Sequence, residues 1–241
     1  MNVSVVVGGS RTVRAFSLIE LLVVIAIIGV LAGLLFPLTG AIKARAVRAK
    51  VQSELSQIAV AIENYREHYG QYPPDTPTNS PVWPYVNPLY FELTGTRYLP
   101  DVRVYETLDG TVRIRDTDQA FGAVFGTVGG RAAVRGFLNC TRTANVDDAP
   151  PARAFLTGLK PAQMREVTLN GQTVRLLTCS VNWPQNHPFQ PIPAAPGVNP
   201  WRYVSSNPTN NPGGFDLWVD VIIGGKTNRI ANWGPKVQIV P

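Results

Sequence analysis

Between Leu21 and Leu38 lie 18 residues without a single charge, and no comparable run recurs after Lys43. About 20 apolar residues span the hydrocarbon core of a bilayer, so this run reads as a transmembrane helix. One run means one span. The chain is therefore expected to have a single membrane segment and one soluble portion, which excludes a polytopic protein. Its 241 residues leave room for one ordinary domain beyond the span.

The net charge of +6 invites a nucleic-acid reading, but the location of the charge argues against it. Arg11 and Arg14 precede the apolar run, and Lys43, Arg45, Arg48 and Lys50 follow it. From residue 51 onward, 16 Lys and Arg face 15 Asp and Glu. The basic excess thus flanks the apolar run, where anionic headgroups attract it. The soluble part offers no basic patch for nucleic acid.

The apolar run continues without a break into "KARAVRAKVQSELSQIAVAIENYREHY". Here Val47, Val51, Leu55, Ile58, Ile62, Tyr65 and Tyr69 recur at steps of 4, 4, 3, 4, 3 and 4, one face of an amphipathic helix. Gly70 and Pro73-Pro74 stop it. Phe16 to Tyr69 reads as one helix roughly 80 Å long, greasy all round in its first half and on one side in its second. Pro37 is expected to kink or loosen it.

Beyond residue 70 the chain is rich in Pro, Gly, Asn and Thr, with short alternating runs. "VRVYETLDGTVRIR" alternates about Asp109-Gly110, and "REVTLNGQTVRLL" about Asn170-Gly171. Both predict tight hairpins of the type I′ kind, in which both turn residues take positive φ. "FDLWVDVII" alternates before Gly224-Gly225, and proline-rich stretches cover 73–88 and 184–212. The expected fold is α+β: a long N-terminal helix, transmembrane then amphipathic, packed on a small antiparallel β-sheet domain with long loops.

The start of the run, "RAFSLIELLVVIAIIG", resembles the type IV prepilin pattern: a basic leader, a small residue, Phe-Ser-Leu-Ile-Glu and an apolar helix. In that family a membrane peptidase cuts before the Phe and methylates the new amine. The resemblance places the cut between Ala15 and Phe16, with N-methylation of Phe16, and makes Glu20 the carboxylate used in assembly. Gly29 and Pro37 also fall where the family has a glycine and a loosening proline. The family usually has glycine where this chain has Ala15. The implied boundaries are a leader at 1–15, a transmembrane or filament-core helix at 16–38, its amphipathic second half at 39–69, and an extracytoplasmic β-rich domain at 70–241.

A carboxylate inside a membrane helix costs about 2.5–3.5 kcal/mol at the centre and less near an interface, so Glu20 needs a partner. The amine freed by cleavage, on a neighbouring copy, would supply one. The alternative is that Glu20 snorkels to the interface of an ordinary anchor. Four basic residues follow the run and two precede it, so charge counting alone would place the domain in the cytoplasm. The resemblance implies the opposite: a single-pass inner-membrane protein with its domain in the periplasm or outside the cell.

"YREHYGQYPPD" and "WRYVSSNPTNNPGGFDLWVDVIIGGKTNRIANWG" further resemble the helix junction, the C-terminal strand pair and the closing Asn-Trp of major pseudopilins of type II secretion. Residues from about 80 to 196 match nothing in that pattern and read as an insertion. The resemblance implies self-assembly into a filament that supports protein export, with the prepilin peptidase and an inner-membrane assembly platform as partners. Two rivals remain: a minor pilin or adhesin exposing the enlarged loop region, and an anchored protein that uses the leader only for export.

In that family the C-terminal loop commonly holds calcium. Here it keeps only Asp220 and adds Lys226 and Arg229, whereas calcium takes six to eight oxygen ligands, so no metal and no cofactor is expected. Asp220 then reads as a plain surface or strand residue. His68 and His187 fit no metal spacing, "GTVGGR" at 126–131 lacks the Lys-Ser/Thr of a phosphate loop, and no nucleophile pattern stands out. The chain is not expected to be an enzyme. Tryptophans 83, 183, 201, 218 and 233 read as core in preference to a sugar groove. Cys140 and Cys179 leave two readings open, a disulfide between them if the domain is extracytoplasmic, or two buried thiols.

Overall fold

The computed structural model describes residues 17–142, 151–234 and 237–240, and only the backbone of 33–39. The leader and Phe16 lie outside the described residues. The chain divides into two compact units, residues 1–43 and 44–241.

Helix α1 runs Leu18–Tyr69, 52 residues, against the expected start at Phe16. Among the described residues, helices α2 (Leu89–Thr94) and α3 (Asp118–Phe125) follow with twelve short strands. Among the described residues no helix is long and apolar enough to cross a membrane. The uncharged run overlaps 33–39, where no side chains are described, and so does Pro37.

Strands β1 (Thr96–Leu99), β2 (Val104–Thr107), β3 (Arg113–Arg115) and β6 (Cys140–Arg142) form one sheet in the order β3-β2-β1-β6. The α+β fold with antiparallel sheets is as expected, and among the described pairs β1–β6 alone is parallel. Strands β4 (Thr127–Val128) and β5 (Arg131–Ala132) form a two-stranded hairpin over the "GTVGGR" stretch. Strands β7 (Met164–Leu169) and β8 (Gln172–Leu177) form another about Asn170-Gly171, where both residues have positive φ, 48° and 80°. Finally β9 (Arg202–Val204), β10 (Asp216–Ile223), β11 (Lys226–Ala231) and β12 (Gln238–Val240) make a sheet of order β12-β11-β10-β9.

The Asp109-Gly110 hairpin departs from expectation. Gly110 has positive φ but Asp109 does not, and the loop between β2 and β3 is wider than two residues. The cause is the Asp109 carboxylate, which accepts from Thr107 Oγ1, Thr111 Oγ1 and the Thr111 N–H. A side chain that folds the loop around itself replaces the backbone turn.

The second half of α1 supplies the predicted stripe to the core. Val51, Leu55, Ile58, Ile62 and Tyr65 are all at most 4% exposed. Burying each of the aliphatic ones contributes about 1.5–3 kcal/mol. They join one hydrophobic cluster with Leu89, Phe91, Phe121, Phe137, Val174, Trp201 and Leu217. Residues 80–196 thus share the core that the helix face builds. Asn232 closes the C-terminal sheet: its Oδ1 accepts from the Leu217 N–H and its Nδ2 donates to the Phe215 carbonyl.

Candidate assembly site

At the head of α1, Ser17 precedes the first helical residue, and its Oγ accepts the Ile19 N–H at 3.3 Å. Three positions on, the Glu20 carboxylate reaches back and its Oε2 accepts the Ser17 N–H at 2.9 Å. Ser17 thus caps the helix through the second-position amide and Glu20 returns to the cap N–H, satisfying amide donors that a helix start leaves orphaned. The signal is written in the sequence as Ser17-Leu18-Ile19-Glu20, a Ser-x-x-Glu ahead of an apolar run. Glu20 therefore has a partner within its own chain. A negative group in the first turn also suits the helix dipole.

The apolar side chains on either side of Glu20 have no such satisfaction. Leu18, Ile19, Leu21, Leu22, Val23, Val24, Ile25, Ile27, Ile28, Val30 and Leu31 are each 46% exposed or more. A contiguous apolar surface of this extent marks an interaction or membrane site, because water at such surface is unfavourable by about 25 cal/mol per Å².

Residues 10–36 match the prokaryotic N-terminal methylation motif. The chain carries a prepilin-type N-terminus. No curated protein and no solved structure matches the chain. The motif is one found on pilin-like proteins, and the α+β architecture behind it is consistent with a pilin-like fold. Ala15 and Phe16, the residues of the expected cut, lie outside the described residues.

Away from the prepilin motif, several buried polar groups of the domain hold it together. Glu92 of α2 is fully buried; it accepts from Tyr65 Oη at 2.8 Å, the Leu138 N–H at 2.8 Å and the Asn139 N–H at 2.9 Å. Burial raises its pKa, and these three donors restrain the rise. Arg175 of β8 donates to Asp109, Glu166, Thr111 and Tyr90, linking two hairpins to α2. Burial would raise Asp109, but Thr107, Thr111 and Arg175 hold it well below the usual carboxylate range.

Asp220 is a buried strand residue rather than a surface one. Arg229 grips its two oxygens at 2.8 and 3.0 Å, and Arg202 stands 3.7 Å away. Asp216 accepts the N–H groups of Thr209, Asn210 and Asn211. Among the described residues no group of three or more His, Cys, Asp or Glu is gathered as a metal would need. His68 lies edge-on to Tyr69, and His187 Nδ1 accepts the Phe189 N–H. Trp183 and Trp201 are buried; Trp83, Trp218 and Trp233 are half-buried, the last two in mutual contact. Cys140 and Cys179 are both free and buried, and burial pushes the Cys179 thiol up to about 12.

Proposed function

We propose that this chain is a structural subunit that assembles through its N-terminal helix into a type II secretion pseudopilus, or a type IV pilus-like filament, supporting protein export. One observation carries the reading: within the methylation motif, an exposed apolar helix begins with a carboxylate at its first turn. In this reading the peptidase cuts between Ala15 and Phe16 and the new Phe16 amine is methylated. The apolar half anchors the subunit in the inner membrane, with the domain in the periplasm or outside the cell, until an assembly platform gathers the copies.

The bond from the Ser17 N–H refines how Glu20 acts. Its Oε2 serves the Ser17 N–H. Its Oε1, which makes no bond to a described residue, is then the oxygen that takes the Phe16 amine of an adjacent copy. Apolar packing supplies cohesion and this pairing sets the stagger. Such head-to-tail contacts need not close, so they build fibres.

Mass analysis of the membrane-extracted protein should find a mature chain starting at methylated Phe16. Glu20→Ala should still insert but fail to form filaments, as read by crosslinking ladders and electron microscopy. Normal filaments from Glu20→Ala would remove the charge pairing, and an intact leader on a chain that never crosslinks would remove the filament reading.

A further inference from the structure

One face of the C-terminal sheet gives Tyr203, Leu217, Val219 and Ile230 to the core, and the other gathers two cations around one acid. Register sets Arg202 of β9 opposite Trp218 of β10, and Asp220 of β10 opposite Arg229 of β11. Residues directly opposed across a sheet share a face, as do positions two apart along a strand, so all four lie together. Arg229 holds both Asp220 oxygens and stands 6.0 Å over the Trp218 ring. Arg202 is 3.7 Å from Asp220, beyond hydrogen-bond reach.

The charges do not balance. Two guanidinium groups, which stay protonated in proteins, share one carboxylate and leave one positive charge over. Asp216, on the same face of β10, is committed to the amides of Thr209, Asn210 and Asn211. Arg202 is 2% exposed, and burial works against its charge. Its guanidinium lies 5.1 Å over the Tyr85 ring, and that hydroxyl favours the charged form, but neither is a counter-ion. Arg202 Nη1 meets no acceptor, and neither does Nε1 of its cross-strand neighbour Trp218, although both atoms are buried. Buried donors are nearly always paired. Water would satisfy the two N–H groups and leave the charge standing; an anion answers both.

The surroundings limit its size. Trp218 is half-buried and the Arg229 side chain is 30% exposed, so an ion can arrive past them, but it must shed water to reach Arg202. Dehydration costs more for a doubly charged oxyanion than for a compact monovalent ion. We propose that Arg202 Nη1 and Trp218 Nε1 hold a small monovalent anion, chloride or another halide, which neutralises the Arg202–Asp220–Arg229 cluster and fastens the C-terminal sheet to the segment around Tyr85.

The test melts the full-length chain in neutral detergent while chloride replaces gluconate, a bulky anion, at fixed ionic strength, which holds screening constant. Chloride should raise the melting temperature saturably, by roughly 5 °C at about a hundredfold excess over its dissociation constant. The chloride NMR line should broaden with the protein present and narrow again when bromide competes. Arg202→Met leaves Asp220 balanced by Arg229, so it should fold and lose both responses. Trp218→Phe keeps a ring and removes only the indole donor; it should weaken chloride binding about tenfold, and it decides the question if Arg202→Met does not fold. Identical melts in the two anions with no line broadening would overturn the site. So would responses of parental size in the variants.

Discussion

Glu92 offers the sharpest test of the domain's physics. Its side chain is fully buried without a cation, and three donors converge on it: Leu138 N–H on Oε1, with Asn139 N–H and Tyr65 Oη on Oε2. Glu92→Leu would orphan all three. At about 1–3 kcal/mol per orphaned donor, less the relief of no longer burying a carboxylate, the expected loss is about 3–5 kcal/mol. That is a large share of the roughly 5–15 kcal/mol that a domain possesses. Glu92→Gln keeps one acceptor oxygen and turns an amide toward the remaining N–H, so its loss should be about 1–2 kcal/mol. The pH dependence is diagnostic. Burial raises the Glu92 pKa in the folded state, so its favourable contribution is full below the unfolded value near 4.3 and is lost as pH rises through the folded value. The penalty of Glu92→Gln relative to the parent should therefore shrink from acid toward neutral pH. Urea unfolding of the full chain in neutral detergent, followed by tryptophan fluorescence at stepped pH, measures it. A penalty that stays constant or grows with pH would refute the buried, partner-limited carboxylate.

Other expectations follow from the same geometry. Arg175→Met should destabilise the domain by about 3–5 kcal/mol in thermal melts, because Asp109 and Glu166 lose their shared cation. Ser17→Ala, removing one cap acceptor, should weaken the start of α1 by about 0.5–2 kcal/mol, seen as faster amide exchange at Ile19; unchanged exchange would deny the cap. Chelator should leave the melting temperature where it was, since Asp220 is held by Arg229 and Asp216 by three loop amides; a drop would reveal a metal. Thiol reagents should label Cys140 and Cys179 only after denaturant is added, given their burial.

The helix was legible because its signals are local and repeated: an uncharged run, then apolar residues at steps of three and four that become the buried stripe from Val51 to Tyr65. The Asn170-Gly171 and Gly224-Gly225 turns were legible for a similar reason, since both residues of each pair take positive φ. Asp109-Gly110 misled because its carboxylate bonds the loop, a competition that the dipeptide alone does not announce. The parallel β1–β6 pair joins segments some forty residues apart in sequence, and no local pattern encodes such a pairing. Asp220 reads from sequence as a surface or strand residue, and its burial was not legible because its partners, Arg202 and Arg229, come from the two neighbouring strands. At the head of α1 the Ser17–Glu20 pairing was readable from its spacing of three.

The same residues of α1, Val51 through Tyr65, are both helix and domain core. Tension on this stretch would meet no slack tether. It would be resisted by side chains that must re-enter water one after another, at about 1.5–3 kcal/mol for each aliphatic one. Pulling on this stretch would accordingly load the domain directly, and it would yield only when the domain itself begins to unfold.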